Sequence, residues 1–275
     1  KFSRIEGGLY FNHLAKKNME YNSFTGDQYS DYDTTYTIIK PSVKYVWDNT
    51  RPFYIYNVAG SRINIGYEYS PDVRANDFNY HKLEIDARNY FELSYNNKIS
   101  LATRFYFGKS WGNNPRIFGV GGSPAFFHGD NQLINTNYQE NVMVGEYEFW
   151  SMNNLQFPVR GYNIGQKYGQ NAMLFNFELR FPFLLYYFPT VKYVGQIFGV
   201  MFVDVGVAWN DNFPSFSTKS NWDLNDNVGW IMSYGFGPRF ILFGMPWKLD
   251  YAWQYNPYRG QISSRKWYLS IGFDF

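Results

Sequence analysis

Apolar and polar residues alternate along most of this chain with the period of two that is typical of β-strands. Between Asn171 and Phe183, every odd position from Met173 onward is apolar. The even positions of the same segment are small or polar and include Asn176, Glu178 and Arg180. The segment is therefore predicted to form a strand with one apolar face and one polar face.

The same alternation predicts nine further strands, which gives ten in all. Some are sharply alternating, such as the C-terminal segment, in which Trp267, Leu269, Ile271, Phe273 and Phe275 share one face. No amphipathic helix is predicted between the strands. The ten predicted strands are Ser3–His13, Tyr36–Asn49, Ser61–Ser70, Tyr80–Leu93, Ile99–Lys109, Asn171–Phe183, Ile197–Asn210, Trp230–Leu242, Trp247–Asn256 and Lys266–Phe275.

The length of these segments decides between a soluble sandwich and a membrane barrel. The predicted strands run about 11 to 14 residues, whereas strands of soluble proteins average about 5 or 6. A tilted strand of about 11 residues spans the apolar band of an outer-membrane barrel. The pattern therefore favours an all-β, transmembrane antiparallel β-barrel.

Composition agrees with a barrel whose wall is apolar on one face only. Aromatic residues make up 23% of the chain and charged residues 17%, below the roughly 25% of ordinary soluble domains. The mean hydropathy is nevertheless −0.43, and no segment approaches the roughly 20 apolar residues that a membrane-spanning helix needs. The chain has no cysteine, which excludes disulfides and thiolate metal sites.

The connections between the predicted strands differ in length. The segments Phe91–Lys98 and Leu242–Pro246 are short, as periplasmic turns are. The segments Asn49–Gly60, Asp211–Val228 and Asn256–Ser264 are longer. The longest connection, about residues 110–170, is predicted to lack strands of its own, and a structureless loop of this length usually has a function.

Four motifs, in a fixed order, resemble the outer-membrane surface-antigen barrels, which include BamA, TamA and the two-partner-secretion transporters. The segment Trp47–Tyr69 is similar to the family segment with the pattern D-x-x-x-x-x-x-P-x-x-G-S-R, although the proline of that pattern is absent here. The motif VRGY, Val159–Tyr162, matches the motif of the sixth extracellular loop. Two strands after that loop, Phe175–Phe183 and Phe202–Asn210, are also similar.

The resemblance implies a place for this chain within a larger protein. Five predicted strands precede the long loop and five follow it, as strands seven to sixteen do in a sixteen-stranded family member. Residues 1–275 are therefore expected to be the C-terminal part of the barrel, with the upstream strands and any periplasmic domain missing. The chain has no initiator methionine and no signal peptide, which also indicates that it begins within a longer precursor.

The resemblance also implies a contact between the long loop and the barrel wall, here called the loop lock. If the loop folds into the lumen, the guanidinium of Arg160 meets Asp204, with Glu178 as a second candidate partner. Arginine suits this position because its planar fork binds a carboxylate through two hydrogen bonds. The alternative is a solvated loop arginine. The predicted lock consists of Val159, Arg160, Gly161, Tyr162, Glu178 and Asp204.

The terminal strand resembles the signal that the barrel assembly machinery reads. In BamA-like members the last strand also borders the first at a weak seam, which can open to client proteins. Gly272 would weaken that edge, whereas the alternative is a simple closing strand. The residues expected to carry this role are Trp267, Leu269, Ile271, Gly272, Phe273 and Phe275.

These observations predict an integral protein of the bacterial outer membrane that inserts, assembles or translocates proteins. No catalysis, metal or cofactor is expected, since the three histidines are scattered and no acid–base arrangement is visible. The expected partners are outer-membrane lipid, client outer-membrane proteins and periplasmic or lipoprotein partners, but not nucleic acid. The alternative is an outer-membrane anchor barrel for a periplasmic TolB-like propeller or a partner complex.

Overall fold

The computed structural model describes residues 2–21, 28–53, 56–73, 78–96, 98–123, 127–128, 158–182, 184, 197–262 and 265–272. These residues are almost entirely β-structure. None of their helices is long and apolar enough to cross a membrane. The strands are β1 (Phe2–Tyr21), β2 (Gln28–Asp48), β3 (Arg51–Phe53), β4 (Tyr56–Ser70), β5 (Tyr80–Ser94), β6 (Ile99–Trp111), β7 (Phe118–Val120), β8 (Phe127–His128), β9 (Lys167–Gly169), β10 (Asn171–Phe181), β11 (Phe198–Trp209), β12 (Gly229–Leu242), β13 (Met245–Asn256), β14 (Gly260–Gln261) and β15 (Lys266–Ile271).

Ten of these strands form a continuous antiparallel sheet in which each long strand lies beside its neighbour in sequence. The order is β1-β2-β4-β5-β6-β10-β11-β12-β13-β15, with β8 added beyond β15. The all-β prediction is confirmed, as are the ten long strands, five before the long loop and five after it. In the described residues the sheet is open, with β1 at one edge.

The two faces of the sheet have opposite character, as the alternation predicts. We call the face covered by the long loop the inner face and the other the outer face. In β10 and β11 the even positions lie on the inner face, and Asn176 and Asp204 there are fully buried. The odd positions point outward, and the large apolar side chains of Phe177 and Met201 are about half exposed. Polar groups are therefore covered and apolar groups are open, which is the reverse of a soluble protein.

Antiparallel neighbours place successive connections at alternate ends of the sheet. Residues 112–123 and 158–170 of the long loop lie at one end, here called the long-loop end, together with residues 71–73, 78–79, 210–228 and 257–262. The opposite end carries residues 95–96 and 98 and the turn at 243–244. Tyr56, within the predicted connection Asn49–Gly60, lies at this opposite end, because its hydroxyl donates to the carbonyl of Lys98 at 2.9 Å. Part of that segment also forms β3, which pairs with β4.

The predicted lengths of the first two strands were wrong. β1 and β2 have 20 and 21 residues, well beyond the predicted Ser3–His13 and Tyr36–Asn49. β15 has 6 described residues, and the last three residues of the predicted terminal strand lie outside the described residues. The β1–β2 ladder continues through Leu14–Tyr21 and Gln28–Tyr36. Those segments lack clear alternation in the sequence, so the pattern did not predict them as strand.

The long loop also differs from the structureless segment that was predicted. Its strand β7 pairs with β9 to form a separate two-stranded sheet. The backbone N–H of Gly122 donates to the carbonyl of Val159 at 3.1 Å, which ties residues 118–123 to the predicted lock motif. These two segments form one unit on the inner face, where Val120, Val159 and Tyr162 pack with Leu174 and Ile231.

Candidate functional site

Arg160 lies under the inner face of the sheet and binds Asp204 through both oxygens of the carboxylate. Its Nε donates to Oδ2 at 2.7 Å and its Nη2 donates to Oδ1 at 2.8 Å. The backbone N–H of Arg160 also donates to Oδ2, at 3.2 Å. The side chain of Arg160 is 8% exposed and that of Asp204 is 0% exposed. This is a bidentate, charge-assisted contact with little access to water.

Asn176, on the neighbouring strand β10, fixes the carboxylate of Asp204. Asn176 lies opposite Asp204 in the β10–β11 register, and its Nδ2 donates to Oδ1 of Asp204 at 2.7 Å. The same Nδ2 lies 3.3 Å from the carbonyl of Pro158, which accepts from it. The amide therefore orients Asp204 and holds the backbone just before the motif. The alternation places Asn176 on the correct face, but nothing in the sequence singles it out.

Two further carboxylates, those of Glu178 and Asp250, lie beside the guanidinium of Arg160, and each also binds another arginine. The Nη1 of Arg160 is 3.0 Å from Glu178 Oε1 and 3.6 Å from Asp250 Oδ2. Glu178 also binds Arg180 at 2.8 Å, and Asp250 binds Arg239 at 2.8 Å. Three arginines and three carboxylates thus form one buried network with balanced formal charge, which a buried site requires.

The sequence pointed to Glu178 but not to Asp250, Arg180 or Arg239. All of these side chains are buried. Asp250 occupies an even position in the alternation of Trp247–Asn256, and this was the available signal. Its contact with Arg160 depends on the register of the β10–β11, β11–β12 and β12–β13 pairs, which a single sequence does not specify. The ring of Phe202 completes the surroundings, with the guanidinium carbon 3.5 Å from its centroid, a cation–π contact.

Gly161 and Tyr162 hold the motif against the sheet on the other side of the arginine. Gly161 has a φ of +95°, a conformation that glycine adopts without strain. Its carbonyl accepts from Nε2 of Gln254 at 2.7 Å. Tyr162 is buried, and its hydroxyl donates to the carbonyl of Met232 at 2.8 Å. The motif therefore contacts both β12 and β13.

The terminal strand reaches the motif through a residue that was not among those predicted. The hydroxyl of Tyr268 accepts from the backbone N–H of Gly161 at 2.9 Å. Tyr268 occupies an inner position of β15 opposite Asp250 in β13. The loop lock and the last strand are therefore one connected structure.

The residues predicted for the terminal strand lie away from this contact. Trp267, Leu269 and Ile271 occupy the other face of β15, opposite Tyr251, Leu249 and Trp247 of β13. Gly272 has a φ of +140°, and its N–H donates to the carbonyl of Pro246 at 2.9 Å. Phe273 and Phe275 lie outside the described residues.

Lys167 fastens the long loop to the connection between β11 and β12. Its ammonium group is buried, and burial lowers its pKa to about 8, although the carboxylates of Asp226 and Asp223 act in the opposite direction. The group therefore stays charged at neutral pH. Its acceptors are the carbonyl oxygens of Asp223, Asp226 and Val228.

A metal centre has no basis in the part of the chain that the structure describes. No three histidine, aspartate or glutamate side chains are grouped there so that they could hold an ion. Each carboxylate of the network instead binds an arginine. The arrangement can hold a loop on a wall.

Comparison with known proteins identifies the relatives of this architecture. The family described as the Omp85 superfamily domain matches residues 3–275. The crystal structure of BamA from Haemophilus ducreyi lacking POTRA domains 1–3 superimposes with a TM-score of 0.59 at 16% identity. That match covers 98% of this chain and 51% of the other, so this chain spans about half of its length. A comparison with curated proteins gives no match.

Proposed function

The chain belongs to the Omp85 superfamily, and from this premise we propose that it acts in the insertion or translocation of proteins at the outer membrane. Membership of the family implies an outer-membrane barrel. The proposed route is a seam beside β15, while the loop lock holds the neighbouring wall in register. The proposal involves no catalytic step and no cofactor.

The short pairing of β15 is the observation that carries this proposal. Within the part of the chain that the structure describes, β15 pairs with β13 over six residues, from Lys266 to Ile271, whereas β10 pairs with β11 over eleven. On its other edge β15 pairs only with Phe127 and His128 among the described residues. A strand with few ladder bonds opens more easily than one with many, and an open edge can pair with an incoming strand.

The loop lock supports the same proposal from the opposite direction. A wall that opens at one place needs the adjoining strands to stay together. Arg160 and its network join β10, β11 and β13 to one loop segment. The buried charges thus strengthen the strands beside the proposed seam without adding ladder bonds to it.

Site-specific photo-crosslinking in cells that produce the full-length protein tests this function. A photoreactive amino acid at Leu269, on the outer face of β15, should form adducts with newly made barrel proteins. The control position is Phe177, which also points outward and is 44% exposed but lies on β10, with three strands between it and β15. Adducts with nascent barrels from Leu269 alone are expected.

Two outcomes would overturn the proposed function. Equal adducts from Leu269 and Phe177 would mean that contact with clients is not directed by the seam. Adducts from Leu269 with one stable partner only, and none with newly made barrels, would favour the anchor function instead. In either case the loop lock would remain as a structural device of the wall.

A further inference from the structure

The connection between β11 and β12 folds back over the outer face of the sheet. Its Trp222 is 2% exposed. This ring packs with Trp209 and Trp230, and the cluster also contacts Met173 and Val205 of the outer wall. Residues 211–228, here called the aromatic loop, therefore cover the outer wall near the long-loop end.

Two indole N–H groups of the cluster, those of Trp222 and Trp230, donate to carbonyl oxygens of the aromatic loop. Nε1 of Trp222 donates to the carbonyl of Phe216 at 3.0 Å, and Nε1 of Trp230 donates to the carbonyl of Pro214 at 2.9 Å. A tryptophan whose N–H is already bonded can sit beside hydrocarbon without an unpaired donor. These two rings can therefore lie in an apolar environment without an unpaired donor.

Two phenylalanines form the outermost layer of the cluster. Phe213 packs edge-on against Trp209, with ring centroids 5.0 Å apart, and Phe216 packs edge-on against Trp222 at 4.9 Å. Despite these contacts, Phe213 is 52% exposed and Phe216 is 48% exposed. The rings are held in place while about half of their surface faces outward.

We propose that the aromatic loop is a lipid anchor in which Phe213 and Phe216 insert into the outer leaflet at the boundary between headgroups and acyl chains. The patch is continuous with the outer wall, the lipid-facing surface of a barrel of this family. It lies at the end of the strands, where aromatic rings favour the membrane interface. Lipid is therefore the occupant that the surface fits.

The same loop is fastened on its opposite side to the long loop. Lys167 donates to three of its carbonyl oxygens, and the backbone N–H of Tyr168 donates to the carbonyl of Asn227 at 2.8 Å. Insertion of Phe213 and Phe216 therefore steadies the segment that carries the lock motif. The lipid contact and the loop lock support one another through residues 223–228.

Site-specific fluorescence tests the anchor directly, because the chain has no cysteine. Phe216→Cys, Asn225→Cys and Phe236→Cys are each labelled with a polarity-sensitive dye and reconstituted in dioleoylphosphatidylcholine vesicles. Asn225 is exposed on the same loop, and Phe236 lies near the middle of the outer wall, 49% exposed. Iodide and spin-labelled phosphatidylcholine then report water and lipid at each position.

The expected result separates the three positions. The dye at Phe216 should be shielded from iodide and quenched most by a spin label near the headgroup. The dye at Phe236 should be quenched most by a spin label deep in the acyl chain, and the dye at Asn225 by iodide only. Phe213→Cys gives an independent measurement, since Phe216 then remains in place.

Equal iodide quenching at Phe216 and Asn225, with the same result at Phe213, would overturn the anchor. Shielding in native membranes but not in vesicles would also overturn it, because that result requires a protein partner. Each variant is first checked for heat-modifiable migration on gels, so that only folded barrels are compared. The measurement does not depend on client insertion, so its failure leaves the proposed function standing.

Discussion

Two groups of arginine–carboxylate pairs lie on the inner face, and they differ mainly in what covers them. Asp86 accepts two hydrogen bonds from Arg88 and two from Arg104, much as Asp204 does from Arg160. The side chains of Arg88, Asp86 and Arg104 are 22%, 13% and 7% exposed. Those of Arg160 and Asp204 are 8% and 0% exposed. The chemistry is the same, but among the described residues only the second group includes a side chain of the long loop, that of Arg160.

This difference shows how one pattern of charges can serve two purposes. The alternation of the strands places carboxylates and arginines on the inner face throughout the sheet. Where water reaches them, each group can replace a lost partner with solvent, and a pair contributes little. Where a loop covers them, a lost partner leaves a buried charge, which costs several kcal/mol. Coverage by a loop therefore determines how much an arginine–carboxylate pair contributes to stability.

The largest effect should come from removing the negative charge of the covered pair. Asp204→Asn keeps the shape of the side chain but leaves Arg160 without its bidentate partner, at an expected cost of about 3 kcal/mol in the free energy of unfolding. Asp86→Asn is the matched control on the more open wall, with an expected cost of about 1 kcal/mol. Urea unfolding in vesicles, followed by tryptophan fluorescence, compares the two variants. Equal losses would remove coverage as the distinguishing factor.

A smaller effect should follow from blocking the loop without touching any charge. A Cβ at Gly206 would clash with Val120 Cγ1 and would lie 2.7 Å from Val159 Cγ2. Gly206→Ala is therefore expected to cost about 1–3 kcal/mol through overpacking and to expose residues 158–162 to protease.

Gly66→Ala is the control for this substitution. Gly66 also lies within a long strand, and a Cβ there would meet nothing within 4 Å. Its unfolding and protease pattern should stay close to the wild type. If Gly206→Ala behaves in the same way, the loop does not need close contact with β11, and the lock rests on the charges alone.

The smallest of these effects concerns the link between the loop and the last strand. Tyr268→Phe removes the hydroxyl that accepts from the buried N–H of Gly161 and should cost about 1 kcal/mol. Tyr234→Phe is its control, because the Tyr234 hydroxyl bonds Gln261 at an exposed site. Heat-modifiable migration on gels should shift to lower temperature for Tyr268→Phe only. An unchanged transition would separate β15 from the loop lock.

The wall of the protein could be predicted from the sequence because it depends on a local pattern. Alternation assigns Asn176, Glu178 and Asp204 to one face without reference to any other strand. The ten strands and their division around the long loop follow from the same pattern. The extension of β1 and β2 could not be predicted in this way, since Leu14–Tyr21 and Gln28–Tyr36 lack clear alternation in the sequence.

The candidate site was harder to predict from the sequence because it joins distant parts of the chain. The pairing of Arg160 with Asp204 was expected only from the family resemblance. The parts played by Asp250 and Tyr268 depend on the register of β13 and β15 relative to the loop. The contact of Lys167 with the connection between β11 and β12 could not be predicted either, because its acceptors are backbone carbonyls, which do not depend on the identity of the side chains.

A double-mutant cycle on Arg160 and Asp204 tests the central claim most directly. Arg160→Ala, Asp204→Ala and the double variant are unfolded by urea in vesicles of one composition, and the coupling free energy is taken from the three differences. We expect the double variant to be less destabilised than the sum of the two single variants, by about 2 kcal/mol or more. Additivity within about 0.5 kcal/mol would contradict the claim that this buried pair holds the loop on the barrel wall.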